Sequence, residues 1–230
     1  MVCWGRKESS RVAQRMAISA GRPLIQLEDG FIRSVGLGRD DPPLSIVVDP
    51  LGIYYDVTVP SRLESLIATP LSNDQRFRAQ ALIVAWRAAK VSKYNYAPEL
   101  SRLSGESGAY QPRRYVLVVD QTLGDASIQY GLSDASSFQR MLSTALDENP
   151  DCMVLLKVHP EVTAGRKRGH FDLAAVARNA RVRVLGLEVH PVSLIERARA
   201  VYVVTSQMGF EGLLWGKPVR TFGVPFYAGW

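Results

Sequence analysis

Long apolar runs are missing from this 230-residue chain, and with them any candidate for a membrane-spanning helix, which needs about 18 consecutive apolar residues. The start, MVCWGRKESS, lacks the basic, then apolar, then small-residue order of a secretory leader, so the expected compartment is the cytoplasm. Cysteine is scarce. Cys3 and Cys152 lie far apart and form no CxxC or Cys/His spacing, which speaks against a disulfide scaffold and a zinc site, and no metal is expected. The basic run Arg166, Lys167, Arg168 lacks the interleaved aromatics of a single-strand binding surface, so it reads as a solvated loop and nucleic acid is not an expected partner. No internal repeat or low-complexity tract is visible.

What is present is the composition of an ordinary soluble or peripheral globular protein, 47% hydrophobic and 22% charged. A net charge of +6 asks for an anionic partner: nucleic acid, an anionic lipid surface or a negatively charged substrate, among which charge alone does not choose. Arg11, Arg15, Arg76, Arg78 and Arg87 fall within helix-like patterns, where a solvated face is the commoner explanation.

From about residue 112 the pattern is regular. Apolar runs Tyr115 to Val119, Met153 to Val158, Val182 to Leu185, Val201 to Val204 and Val219 to Phe222 read as strands. Helical segments Ser136 to Glu148, Phe171 to Arg178, Pro191 to Ala198 and Met208 to Trp215 separate them. Continuously apolar strands alternating with helices imply a parallel sheet covered on both faces. The first half is less regular: a helix over Glu8 to Ala20, a strand Leu24 to Leu27, and a hairpin of Ser45 to Asp49 with Tyr54 to Thr58 around Pro50, Leu51 and Gly52. Ser61 with Glu64 forms a capping-box signature, and Asn73 to Tyr94 reads as one long helix. The stretch Ser101 to Pro112 reads as a linker. It divides a first lobe with linker, residues 1–110, from a second lobe, residues 111–230.

Ligands of open parallel sheets bind beyond the carboxyl ends of the strands, and there this sequence is polar. Asp120, Gln121, Gly124, Asp125 and Ser127 follow the first strand of the second half; Lys157, His159 and Pro160 follow the second; Thr205, Ser206, Gln207 and Gly209 follow the fourth. Ser206 reads equally as a helix cap and as a hydroxyl for a phosphate at that helix start. Glu211 either accepts from a ribose or faces solvent. His159 is placed to donate to a phosphate oxygen or to protonate a leaving group. His190, before Pro191, opens a helix and reads as structural, whereas His170 is expected to be exposed. In the first half, Glu28 and Asp29 end a strand before Gly30; adjacent strand residues point to opposite faces, so the two acids would not share one job, and an acidic Asp-Gly turn is the bland alternative. Arg33 and Ser34 follow, and a guanidinium suits a sugar carboxylate.

Six blocks, EDGFIRSVGLG from Glu28, PLSIVVDPLGIYYD from Pro43, VLVVDQTLGDASIQYG from Val116, LLKVHPE from Leu155, TSQMGFEGLLWGKPV from Thr205 and FGVPFYAGW from Phe222, together resemble the capsular polysaccharide β-Kdo transferase family of the KpsC type. The resemblance covers nearly the whole chain, which looks like one module truncated at both ends. Gly212 departs from it, since alanine is usual after GFE.

The resemblance implies an α/β fold of GT-B type, two Rossmann-like lobes with the donor site in the C-terminal lobe and cleft. It implies a retaining β-Kdo glycosyltransferase that takes Kdo from CMP-Kdo, needs no cofactor or metal, and extends an oligo-Kdo linker on a phosphatidylglycerol-type lipid. Its place would be peripheral at the inner membrane, in capsular polysaccharide biosynthesis and export, with an anionic membrane surface and capsule assembly or export proteins as partners. Asp29 is the expected nucleophile, with Glu28 the alternative for that role or for acid/base work. His159 and Lys157 with the helix start at Ser206 would neutralise the CMP phosphate as it leaves. Gln121, Asp125 and Ser127 would line the donor pocket. The alternatives are another CMP-sugar GT-B enzyme of sialyltransferase type, or a non-catalytic remnant that binds nucleotide or an assembly partner.

Overall fold

The computed structural model describes residues 1–37, 41–100 and 114–229. Two compact units divide the chain, Met1–Asn95 and Tyr96–Trp230. The expected linker, Ser101 to Pro112, lies outside the described residues.

The first unit holds strand β1 (Val2–Trp4), helix α1 (Glu8–Ser19), strands β2 (Ile25–Asp29) and β3 (Ile46–Asp49), and helices α2 (Arg62–Ile67) and α3 (Asn73–Ala88). β1 runs parallel to β2, and β3 closes the three-stranded sheet antiparallel to β2, with Asp29 opposite Ile46. The expected hairpin is corrected here. β3 finds its partner in β2, and Tyr54 to Thr58 forms turns instead of a strand. Two carboxylates account for this. Asp49 Oδ1 accepts from the Leu51 and Gly52 N–H groups at 2.8 and 3.0 Å while its Oδ2 takes Arg62 N–H at 2.8 Å. Asp56 Oδ1 accepts from both Thr58 N–H and the Thr58 hydroxyl. Short carboxylates that hold the backbone two or three residues on compete with strand pairing.

Helix α3 starts where expected, on a reciprocal capping box between Ser72 and Gln75, but it ends at Ala88 rather than near Tyr94. Lys90 takes a left-handed φ of 50°, Val91 N–H returns to the Trp86 carbonyl, and the Asn95 side chain then ties residues 92 and 34 together. Ser61 caps α2 through the Glu64 N–H. Arg11, Arg15, Arg76, Arg78 and Arg87 are exposed, as a solvated face requires.

In the second unit the alternation read from sequence is realised: β4 (Tyr115–Val119), α4 (Ala126–Tyr130), α5 (Ala135–Glu148), β5 (Met153–Lys157), α6 (Pro160–Thr163), α7 (Leu173–Val176), β6 (Val182–Leu185), α8 (Pro191–Ile195), β7 (Val201–Val203), α9 (Gln207–Leu214) and β8 (Val219–Thr221). All five strands are parallel, in the order β6-β5-β4-β7-β8. Alternate strand residues feed two cores. Val116, Val118, Val154, Leu156 and Tyr202 pack with Phe138 and Met141 of α5 on one face, while Leu117, Val119, Leu155, Val201 and Val203 pack with Leu194 and Ile195 of α8 on the other. Burial on both faces is why these strands read as unbroken apolar runs. The short helices α4 and α6 had no apolar period to announce them; each is instead nucleated by the side chain before it, Asp125 and His159.

Candidate functional site

The second unit's strand order reverses at β4, whose neighbours are β5 on one side and β7 on the other. In open parallel sheets ligands bind at such a switch point, here the carboxyl ends of β4 and β7. Gln121 and Thr205 meet there. Gln121 Oε1 accepts from Thr205 N–H at 2.9 Å, and its Nε2 donates to Thr205 Oγ1 at 3.1 Å, Asp125 Oδ2 at 3.2 Å and Ser127 Oγ at 3.3 Å. Ser127 Oγ also donates to Asp125 Oδ1. Three residues expected to line a donor pocket are therefore brought together, but their polar atoms bond largely to one another, and Thr205, expected at the same rim after the fourth strand, is the fourth member. A closed network of this kind fixes the loop after β4 to the loop after β7.

Lys157, the last residue of β5, is 5% exposed. It shares the face of Leu155, on the side where Met208 of α9 and its C-cap residue Trp215 pack. Burial pushes its pKa down from 10.5 to about 8, against the pull of the Glu211 and Glu188 carboxylates. Glu211 lies within α9 at 1% exposure and accepts from Gln207 Nε2 at 3.4 Å, so the solvent-facing alternative for this residue is excluded. Ser206 is the N-cap of α9, its hydroxyl accepting from Met208 N–H at 3.3 Å. His159 caps α6 in the same way: Nδ1 accepts from Glu161 N–H at 3.1 Å, which in the neutral ring leaves the proton on Nε2, and Pro160 occupies the first helical position. Gly209 is buried in the first turn of α9.

On the opposite face, Asp120 follows β4 at 2% exposure. Its Oδ1 accepts from the Gln121 and His170 N–H groups at 2.9 and 3.2 Å, while Oδ2 is buried without a hydrogen-bond partner. Burial pushes this carboxyl up from 3.8 to about 6, the two N–H bonds holding it back. His170, expected to be exposed, instead stacks on Phe138 with the rings 3.8 Å apart and 2° from parallel, because its own N–H is tied to Asp120. His190 precedes Pro191 at the start of α8 and is buried, in agreement with a structural role.

In the first unit, Glu28 and Asp29 end β2 and have separate partners. Glu28 Oε1 accepts from Trp4 Nε1 at 3.2 Å and from Asp29 N–H at 3.0 Å. Asp29 Oδ1 forms an ion pair with Arg33 Nε at 2.9 Å. Arg33 itself is 5% exposed, its Nη1 donating to Ser34 Oγ at 2.9 Å and to the Asp41 carbonyl at 2.8 Å. The guanidinium read as a partner for a sugar carboxylate thus holds a carboxylate of its own chain, and Ser34, 2% exposed, serves the same loop. Gly30 has a steric reason: its N–H bonds the Ser45 carbonyl at 2.9 Å, and a Cβ there would run into the Ser45 side chain.

The whole chain matches a known family. Two overlapping regions, residues 1–100 and 71–230, fit the family described as capsule polysaccharide biosynthesis protein. LipA, a capsule polysaccharide modification protein of Neisseria meningitidis serogroup B, is 47% identical over 233 residues that take in 100% of this chain and 33% of LipA. The lipopolysaccharide-processing protein LpsZ of Rhizobium meliloti is 37% identical over 100% of this chain and 52% of its own length. The chain therefore spans between a third and about half of these relatives. Among solved structures, the β-Kdo 2,4 transferase of Thermosulfurimonas dismutans KpsC is 44% identical with a TM-score of 0.89, over 100% of this chain and 70% of that one. The β-Kdo 2,7 transferase of the same KpsC is 31% identical with a TM-score of 0.67, over 99% and 66%. With its α/β fold and parallel sheet matching those of KpsC, the chain belongs to the capsule polysaccharide biosynthesis protein family.

Proposed function

We propose that this chain is the greater part of a retaining β-Kdo glycosyltransferase module of GT-B type, which moves Kdo from CMP-Kdo to a Kdo-bearing glycolipid linker at the cytoplasmic face of the inner membrane during capsule biosynthesis. The observation that carries the reading is Lys157. At the carboxyl rim of the parallel sheet, where the neighbouring polar groups bond to one another, a buried ammonium is held below its ordinary pKa. An anionic phosphoryl group placed beside it would restore the charge that burial disfavours. Kdo transferase relatives supply the identity of that anion: a nucleotide-sugar donor, with a glycolipid acceptor. The greater likeness to the 2,4 than to the 2,7 transferase favours a β-2,4 linkage.

In the chemistry we assign, the Asp29 carboxylate attacks the anomeric carbon of Kdo, the bond to the CMP phosphate breaks, and CMP departs with the electron pair. The acceptor hydroxyl then displaces Asp29, its proton passing to water, so two inversions retain the β configuration. Glu28 is already committed to Trp4 and the β2 backbone, which suits an orienting role and leaves Asp29 as the nucleophile. Arg33 pairs with Asp29 and aims its carboxylate. His159, with its proton on Nε2, and Lys157 meet the charge that builds on the phosphate.

The test is an assay of the full-length protein with CMP-Kdo and a Kdo-primed lipid, beside Asp29→Asn and with CMP-sialic acid as a second donor. Transfer from CMP-Kdo alone, lost in Asp29→Asn, is expected. Full activity of Asp29→Asn removes the nucleophile assignment, and absence of transfer by the wild-type protein removes the reading.

A further inference from the structure

Tyr227 has no part in the chemistry above, yet its side chain reaches back onto the opening of α9. Its hydroxyl donates to the Ser206 carbonyl, the same oxygen that takes the Gly209 N–H at 3.0 Å. Two donors thus converge on the peptide between Ser206 and Gln207. The phenol also fills the space a side chain at residue 209 would need. A Cβ on Gly209 would stand 2.8 Å from Tyr227 Cζ and 2.8 Å from Val203 Cγ2, and closer still to the hydroxyl oxygen. Real carbons do not approach so closely, so Gly209 and Tyr227 are a matched pair. Phe226 stands edge-on to the Tyr227 ring at 5.1 Å and Phe210 lies at 6.3 Å, which fixes the ring from two sides. Burial, reinforced by the Glu211 charge, pushes the phenol pKa far up, so the hydroxyl keeps its proton and remains a donor.

We propose that Tyr227 is a positioning residue for the donor site. It clamps the Ser206–Gln207 peptide, and through it the Ser206 hydroxyl and the first turn of α9, in the orientation that receives the phosphoryl group of the nucleotide sugar. Gly209 is glycine in order to admit the clamp. The proposal rests on the donor-site reading given above. The ring of Tyr227 acts as a packing element in its own right, so the informative change is the loss of the hydroxyl alone.

Tyr227→Phe, Gly209→Ala and the double variant are compared in the full-length protein by three measurements: the KM for CMP-Kdo against kcat, the affinity for CMP, and amide hydrogen exchange over residues 206–210. One neutral hydrogen bond lost should weaken CMP binding and raise the donor KM by roughly five- to tenfold in Tyr227→Phe, with kcat within about twofold. Exchange in the first turn of α9 should rise by a similar factor without any ligand present. Gly209→Ala should be worse, and adding Tyr227→Phe to it should cost less than the product of the two single effects, because the colliding hydroxyl has gone. A Tyr227→Phe protein with unchanged exchange at residues 206–210 overturns the clamp. Faster exchange with unchanged CMP affinity and donor KM overturns its role toward the donor. If wild-type protein binds no CMP while exchange still responds to Tyr227→Phe, the donor-site reading itself falls and takes the positioning role with it.

Discussion

Replacing Lys157 by methionine should make the protein more stable and less able to bind its donor. The ammonium is 5% exposed, and its pKa falls from 10.5 to about 8, chiefly because burial disfavours the charge. A drop of that size corresponds to about 3 kcal/mol of native-state cost at neutral pH. Glu211 and Glu188 attract the ammonium, but their attraction is already contained in the net shift, so removing the charge should still be favourable even though Glu211 loses a partner. Between pH 8 and 10.5 the unfolded chain binds a proton at this position that the native chain has released, so the contribution of this lysine to stability rises with pH across that window; below pH 8 its cost is fully present. Methionine preserves the length of the stem and abolishes the charge. In urea denaturation at pH 7 Lys157→Met should gain about 1 to 3 kcal/mol, and that gain over wild type should shrink as pH rises from 8 to 10.5. Calorimetry with CMP near pH 8, in buffers of different ionisation enthalpy, should show proton uptake by wild type and little binding by the variant. A Lys157→Met protein destabilised by more than about 1 kcal/mol at pH 7 would refute the reasoning, because it would mean that the pairing with Glu211 outweighs desolvation.

Asp120 carries the opposite charge and the same logic. Its native pKa of about 6 lies above the ordinary 3.8, so stability falls as pH rises between those values and the full cost is present at neutral pH. Asp120→Asn keeps an acceptor for Gln121 and His170 N–H and should gain about 1 to 3 kcal/mol at pH 7.5, with the slope between pH 4 and 6 flattened in urea denaturation; an unchanged slope would count against a buried, ionised Asp120. Asp49→Ala orphans three backbone N–H groups at a site 1% exposed and should lower the stability of the first unit by about 2 to 4 kcal/mol in thermal or urea unfolding. Glu28→Gln retains an oxygen for Trp4 Nε1 and Asp29 N–H and should keep most transfer activity in the full-length protein, whereas Asp29→Asn should lose it; the reverse outcome would exchange their roles.

The second unit was legible because its strands are buried on both faces and therefore apolar throughout, so their ends agree with the structure to within a residue. In the first unit a period-2 reading placed Tyr54 to Thr58 in a strand, since aromatic and β-branched residues are strand formers. The signal that decided otherwise was chemical: Asp49 and Asp56, each able to hold N–H groups just ahead, turn the backbone before a second strand can form. The same distinction runs through the site. That Lys157, His159 and Ser206 stand at strand ends was visible from the apolar runs before them. That Gln121, Asp125 and Ser127 bond to one another was not, because Thr205 completes the network from 84 residues away along the chain. Tyr227 lies within FYAGW, but its contact with Ser206 spans 21 residues and no periodicity reports it.

These contacts separate two kinds of polar residue at the rim of one sheet. A buried amide or hydroxyl can be satisfied by neutral neighbours, and Gln121, Thr205 and Ser127 do much of this among themselves, with the Asp125 carboxylate accepting from Gln121 and Ser127. A buried ammonium cannot, because neutral partners do not return the hydration it has lost, and two carboxylates leave it still below its ordinary pKa. Selection for stability alone would place an apolar side chain at the end of β5, continuing Leu155 and Leu156. The lysine is therefore best explained by a state in which an anion stands beside it. On the proposed reading the closed network has a corresponding role: with the loops after β4 and β7 locked to each other before a donor arrives, the energy of binding its anion would go into the charge and not into ordering the loops.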